Sequence, residues 1–228
     1  MIYFKADYMQ KSALFQGLEK EELETVRSSI VPIVKTYEKN EIILRQGDVV
    51  KYVGILLDGR VSGLKYHYDG SVQILKFLNP LDTIGLESAF SSFHTSPYMF
   101  IADKHCSILC IMYAELFTSQ GGSISCKLKL LKNVVNILSD ENIRLMYKID
   151  TLSKRTLRDR ILTYLSIIRE KRGSDRFDIG MTQEQFALYL CVNRSALSSE
   201  LNKMRKEGLI DFDKSIYTLK LRFGLPKE

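Results

Sequence analysis

The chain of 228 residues is long enough for two modest domains, is 45% hydrophobic, and carries a net charge of +6. Its first residues, MIYFKADYMQ, lack the apolar stretch of a secretory signal, and no apolar run reaches the roughly 18 residues that span a bilayer. Cys106, Cys110, Cys126 and Cys191 form neither a CxxC pair nor an evenly spaced framework, which points to a reduced cytoplasm. No paired carboxylates, Ser/His/Asp set, phosphate-cradling glycine loop or metal-ligand cluster stands at usable spacing. The chain therefore does not read as an enzyme, and no catalytic residue, metal or cofactor is assigned.

Residues 8–30 have a helical pattern, with Leu14, Phe15, Leu18, Leu23 and Val26 apolar. Beyond Pro32 short apolar runs follow at 41–44, 52–57, 61–66, 72–78 and 107–112. Turn pairs such as Gly47–Asp48, Asp58–Gly59 and Asp69–Gly70 separate them, which is the signature of an all-β roll or barrel. With its leading helices this domain is expected to occupy residues 1–123.

A long helix is expected at 124–152. Leu128, Val135, Asn142 and Ile149 recur every seven residues, as do Leu131, Leu138, Leu145 and Leu152. Taken as a and d positions they make a seam narrower than a globular helix needs, so the segment reads as a parallel two-stranded coiled coil. Asn142 is the polar a residue that fixes register in such dimers. Packing on its own β domain is the plainer alternative.

Residues 153–228 hold 16 Lys/Arg against 10 Asp/Glu, so the entire net charge of +6 lies there. A phosphate-binding module attached to a neutral domain has that distribution. A helix at 157–171 comes first, and a short strand is possible at 177–179. Thr182 with Gln185 makes a capping box, and Asn193 makes a second N-cap after only Cys191 and Val192. So short a turn makes the helices cross steeply, the helix-turn-helix arrangement in which the start of the second helix reaches into the DNA major groove. Thr182, Gln183, Asn193, Arg194, Ser195, Ser198, Ser199 and Lys203 are the expected DNA contacts, with Arg194 suited to a guanine edge. Runs at 209–212 and 216–221 flank Asp213–Lys214–Ser215 and read as a wing whose tip, Lys214, touches phosphate.

This order resembles the Crp/Fnr family of bacterial transcription regulators. The resemblance is carried by ALFQGL (13–18), NEIILRQGD (40–48), YVGILLDGRV (52–61), LNPLDTIG (78–85) and TQEQFALYL…NRSALSSEL…GLI near the end. It implies an α+β chain: an N-terminal cyclic-nucleotide-binding-like jelly roll, a long dimerisation helix and a C-terminal winged helix-turn-helix. It further implies a cytoplasmic homodimer on double-stranded DNA carrying an inverted repeat, contacts with RNA polymerase if the protein is an activator, and a small-molecule effector in the roll around Gly85, Leu86, Glu87, Ser96 and Tyr98. The alternative is a small-molecule-binding scaffold whose C-terminal module contacts a protein.

The departures from the family pattern narrow this. Cyclic-nucleotide-binding members follow Gly-Glu with an Arg-Ser or Arg-Thr pair, whereas Gly85 is followed by Leu86 and Ser96–Pro97 stand where the pair belongs. No Lys or Arg occurs from Phe77 to Asp103, which argues against cyclic AMP. Cluster-carrying members have cysteines near the N-terminus, and none precedes Cys106 here. His67, His94 and His105 are too scattered to specify haem. Cys106 and Cys110 share one strand face and are read as core residues before any redox pair. In the recognition helix Arg194 fits the family pattern, but Ser195 and Ser199 replace its Glu and second Arg, so the best-known family operator is not expected. Cys191 takes the turn position usually held by Gly, which implies backbone strain.

Overall fold

The computed structural model describes residues 6–118 and 123–220. They form two compact units that divide within the long helix, Met1–Glu141 and Asn142–Glu228. Among the described residues no helix is long and apolar enough to cross a membrane.

The N-terminal unit opens with α1 (Ala6–Lys11), a 3-10 turn at Ala13–Phe15, and α2 (Lys20–Ser29). The helical pattern over 8–30 is divided. Gly17, at φ +76°, breaks it, and Glu19 with Glu22 restarts it through a capping box. The strands are β1 (Ile33–Tyr37), β2 (Ile42–Leu44), β3 (Tyr52–Asp58), β4 (Val61–Tyr66), β5 (Val72–Leu78) and β6 (Thr83–Ile84). After the short helix α3 (Leu86–Ala89) come β7 (Met99–Ala102), β8 (Cys106–Met112) and α4 (Glu115–Thr118). They pair antiparallel into two four-stranded sheets, β1-β8-β3-β6 and β2-β7-β4-β5, the jelly roll expected. Strands β1, β6 and β7 have no counterpart among the runs picked out in the sequence. β1 (IVKTY) does not alternate and sits at a sheet edge, largely solvated, and β6 is only two residues long.

Helix α5 (Ile124–Leu152) ends the N-terminal unit and begins the C-terminal one. Its Cys126, Leu130 and Val134 join Leu14, Phe15 and Leu109 in the roll's core. Asn133 is buried on the same face and donates Nδ2 hydrogen bonds to the carbonyls of Leu14 (3.0 Å) and Gln16 (2.8 Å). Those bonds satisfy the carbonyls of the 3-10 segment and seat the helix. Cys106 and Cys110 are buried as read, and burial pushes the Cys106 thiol up to about 11.

The C-terminal unit continues with α6 (Leu157–Arg172), β9 (Arg176–Asp178), α7 (Gln183–Tyr189), α8 (Arg194–Lys206), β10 (Ile210–Asp213) and β11 (Ile216–Leu219). β11 pairs with both β10 and β9, so the wing hairpin belongs to a three-stranded sheet. The hairpin was expected to run to 221; Leu221 lies outside the described residues. Ile161, Leu165, Phe186, Leu190, Leu197, Leu201, Met204 and Tyr217 are buried, and Phe186 meets Tyr217 edge-on at 5.9 Å.

Lys148, on α5, is buried in this unit with its ammonium 3.8 Å from the Tyr189 ring centroid. Burial pushes its pKa from 10.5 down to about 8. Between those values the unfolded chain holds more proton than the folded one, so stability rises with pH across that window. The shift corresponds to about 3 kcal/mol. Denaturant melts at pH 7 and pH 10 are expected to show wild type gaining most of that amount relative to Lys148→Met. An unchanged difference would place the ammonium in water.

Candidate nucleic-acid interface and sensor pocket

The two-helix motif forms as its caps dictate. Thr182 Oγ1 accepts from the Gln185 amide at 3.2 Å, and Gln185 Oε1 accepts from the Thr182 amide at 3.1 Å. At the second helix Asn193 Oδ1 accepts from the Ala196 amide at 2.7 Å and from the Ser195 hydroxyl at 2.8 Å. Cys191 lies at φ +58° between the helices, the strained backbone anticipated. Arg160 Nη1 donates to the Leu190 carbonyl at 3.3 Å and so steadies the end of α7.

Leu197, Leu201 and Met204 face inward, which turns the start of α8 to solvent. Arg194, Ser195 and Ser199 are exposed there, and Ser198 is half-buried beside them. Thr182 is exposed and Gln183 is half-buried at the start of α7. Lys203 is exposed further along α8, and Lys214 is exposed in the two-residue wing turn at φ +52°. Arg194, Lys203 and Lys214 have no ion pair among the described residues. Other cations are already committed. Arg158 binds Glu200 at 2.7 Å and Glu207 at 2.7 and 2.8 Å, while Arg205 pairs with Asp211 at 3.0 Å and lies over the Phe212 ring at 3.7 Å. Asn193 and Ser195 are partly spent as well, since their side chains hold the cap.

On α5 most of the heptad residues lie off the face that carries the core residues. Leu128, Leu131, Val135, Asn142, Leu145 and Ile149 are exposed, Leu128 by 60% and Ile149 by 67%. Leu138 is half-buried against the roll's core, and Leu152 is half-buried too. Packing on its own domain therefore does not use up the seam. A contiguous apolar stripe of this kind marks an interaction surface.

The five pocket positions behave differently from one another. Gly85, at φ +76°, caps α3, and Leu86 turns into the core with no exposure, so it cannot line a pocket. Ser96 is buried and donates to the Tyr98 carbonyl at 2.7 Å, which leaves it a structural role. Glu87 and Tyr98 do come together, with the Tyr98 hydroxyl donating to Glu87 Oε1. What joins them was missed. Lys76, on β5, places Nζ 2.6 Å from Glu87 Oε1 and 3.0 Å from Glu141 Oε1, with rings of Tyr98 and Phe100 at 5.5 and 5.7 Å. Lys76 stands one residue before the cation-free stretch that starts at Phe77, and Glu141 comes from the distant helix α5.

Gly63 makes the arrangement possible. It pairs with Lys76 and Phe100 on either side, and a Cβ there would stand 3.1 Å from Lys76 Cγ and 3.3 Å from the Tyr98 ring. Burial works to raise the Glu87 pKa, but the Lys76 charge and the hydrogen bonds from Lys76 and Tyr98 outweigh it and hold the carboxyl below 4.5. Burial and the Glu87 charge raise the Tyr98 phenol. The ammonium thus serves two carboxylates and is not available to a phosphate without giving them up.

The description of a cyclic nucleotide-binding domain matches residues 34–118, and that of a Crp-like helix-turn-helix domain matches residues 159–223. Electron transport regulator A of Shewanella oneidensis is 24% identical over 187 residues, covering 80% of this chain and 72% of that protein. Transcriptional activator protein FnrL of Cereibacter sphaeroides is 21% identical over 201 residues, covering 84% and 77%. Among solved structures, a CooA mutant from Carboxydothermus hydrogenoformans superposes with a TM-score of 0.70 at 18% identity, over 90% of this chain and 88% of that one. At that identity the superposition shows the shared fold alone.

Proposed function

This chain belongs to the Crp/Fnr family of transcription regulators, and from that premise we propose that it acts as a homodimer on an inverted-repeat DNA site. The observation that carries the proposal is the division of labour on α5: one face seats the helix on the roll, and the exposed heptad face is free for a second copy. Two recognition helices related by a two-fold axis would enter successive major grooves about one helical turn apart, roughly 34 Å. Arg194 reads a base edge in each half-site, with Ser198 and Ser199 beside it. Thr182, Gln183, Lys203 and Lys214 hold the backbone.

In the roll, the stretch from Phe77 to Asp103 holds no Lys or Arg to meet a cyclic phosphate, and the Lys76 ammonium just before it is already engaged by Glu87 and Glu141. We infer that cyclic AMP is not the effector.

Selection of bound duplexes from a random DNA library, with purified protein and no added ligand, tests the DNA reading. An inverted repeat is the expected product. Recovery of nothing specific, with affinity insensitive to salt, would favour a C-terminal module that contacts protein, because phosphate neutralisation makes DNA affinity fall steeply with salt. On the recovered site Arg194→Ala is expected to cost about 1–3 kcal/mol and to relax preference at one base pair per half-site. Equal weakening on every sequence would make Arg194 a phosphate contact instead.

A further inference from the structure

The roll contains a cavity of about 190 Å³ whose lining shares no residue with the Lys76 cluster. It lies among β1, β2, β3, β6 and β8, and Ile43, Val50, Ile84, Ile108 and Cys110 give it apolar walls. Gly54 keeps it open. A Cβ at that position would stand 2.9 Å from Ile108 Cγ2 and 3.2 Å from Ile84 Cβ, so any larger residue would press on those walls.

One charge overhangs this apolar space. Lys35 is the cross-strand partner of Ile108 in the β1–β8 ladder, and residues directly opposite each other in such a ladder point to the same side of the sheet. The lysine therefore leans over the cavity, with its Nζ 5.6 Å from the Tyr52 ring centroid. It has no ion pair among the described residues. Lys51 adds a second cation at the rim. A lysine on an edge strand also discourages pairing with another chain, but that purpose needs no hollow beneath it.

Size and charge together define a ligand. An apolar cavity of about 150 Å³ accepts benzene, so this one has room for a single ring or a branched chain of similar bulk. We propose that the cavity binds a compact carboxylate with an aromatic or branched body, its carboxylate on Lys35 and its body against Ile84, Ile108 and Cys110. A charge-assisted contact at the mouth supplies orientation, and burial of the apolar body supplies the remaining affinity. Such a ligand is the chemical class of effector that the roll can take without displacing the Lys76 cluster. That assignment rests on the roll being the sensing half of the regulator.

Benzoate is the probe, titrated into the full-length protein carrying methyl-labelled isoleucine. Saturating shifts are expected at the Ile84 and Ile108 methyls in the millimolar range or below, with Ile161 of the C-terminal unit unmoved. Lys35→Met, a change at an exposed side chain, is expected to weaken benzoate by about tenfold while leaving the weaker binding of benzyl alcohol unchanged. Absence of saturating shifts at Ile84 and Ile108, or equal benzoate titrations for wild type and Lys35→Met, would overturn the site. The site and the regulator reading fail separately. Benzoate binding with no operator recovered by selection would leave the cavity standing and sink the DNA function, and the converse would remove only the cavity.

Discussion

Replacing both Leu131 and Leu145 with lysine is expected to split the dimer and, with it, to abolish tight binding to an inverted repeat. Both side chains are exposed d positions on α5, so the substitutions bury no new charge within one chain. Across a coiled-coil seam, however, each would place a lysine opposite its symmetry mate in the apolar core, where an unpaired charge costs several kcal/mol. Leu138 is the wrong choice for this test. It packs partly on the roll's own core, and lysine there would confound loss of the dimer with damage to the fold. Sedimentation would report the mass and circular dichroism the fold, with operator titration completing the comparison. A folded monomer that binds single half-sites only weakly is the expected result. A double variant that remained dimeric and bound the full site with wild-type affinity would end the coiled-coil account.

The second large effect is expected from Lys76→Met. Removing the ammonium leaves Glu87 and Glu141, both largely buried, without the cation that sits 2.6 and 3.0 Å from them. Breaking one partner out of a buried ion pair costs about 3–5 kcal/mol, and partial exposure places this cluster near the lower figure. The cost falls where strand β5 is tied to helix α5, so the helix should lose part of its anchoring on the roll. Thermal melting is expected to fall by several degrees, with operator affinity at least tenfold lower in the absence of any ligand. Lys76→Arg should recover much of both, and Glu141→Gln should show a milder version because Lys76 keeps Glu87. Wild-type operator affinity in Lys76→Met, despite lower stability, would mean that the cluster serves the roll alone.

The parts of the molecule legible in sequence are those whose signals are local. Thr182 and Gln185 announce one helix within four residues, and Asn193 announces the next, so the helix-turn-helix could be placed almost to the residue. The heptad repeat of α5 is as local a signal, and six of its eight residues are exposed. The sequence could not reveal that a separate stripe (Cys126, Leu130, Val134) would seat the same helix on the roll, because two stripes on one helix read as one amphipathic pattern. The sensor pocket was the least legible. Its members lie on β5, α3, the approach to β7, and α5, and only the folded sheets bring Lys76 to Glu141. Leu86 and Ser96 were chosen for their alignment with a family motif, yet in this chain one fills the core and the other braces a turn.

The cap at the start of α8 bears on how much information an operator can hold. Asn193 Oδ1 and the Ser195 hydroxyl are occupied in starting the helix, which leaves Arg194 and two short serines as the freest readers of base edges. One bidentate contact discriminates at about a single base pair, far too little to single out a site among the 10⁶ or more competitors in a genome. On this reading each half-site is a short and permissive word. Selectivity then resides in its repetition at fixed spacing and opposite orientation, which the proposed pairing of two copies along α5 would set. Mutations that bend or slip the long helix should therefore blur target choice without touching a residue that contacts DNA.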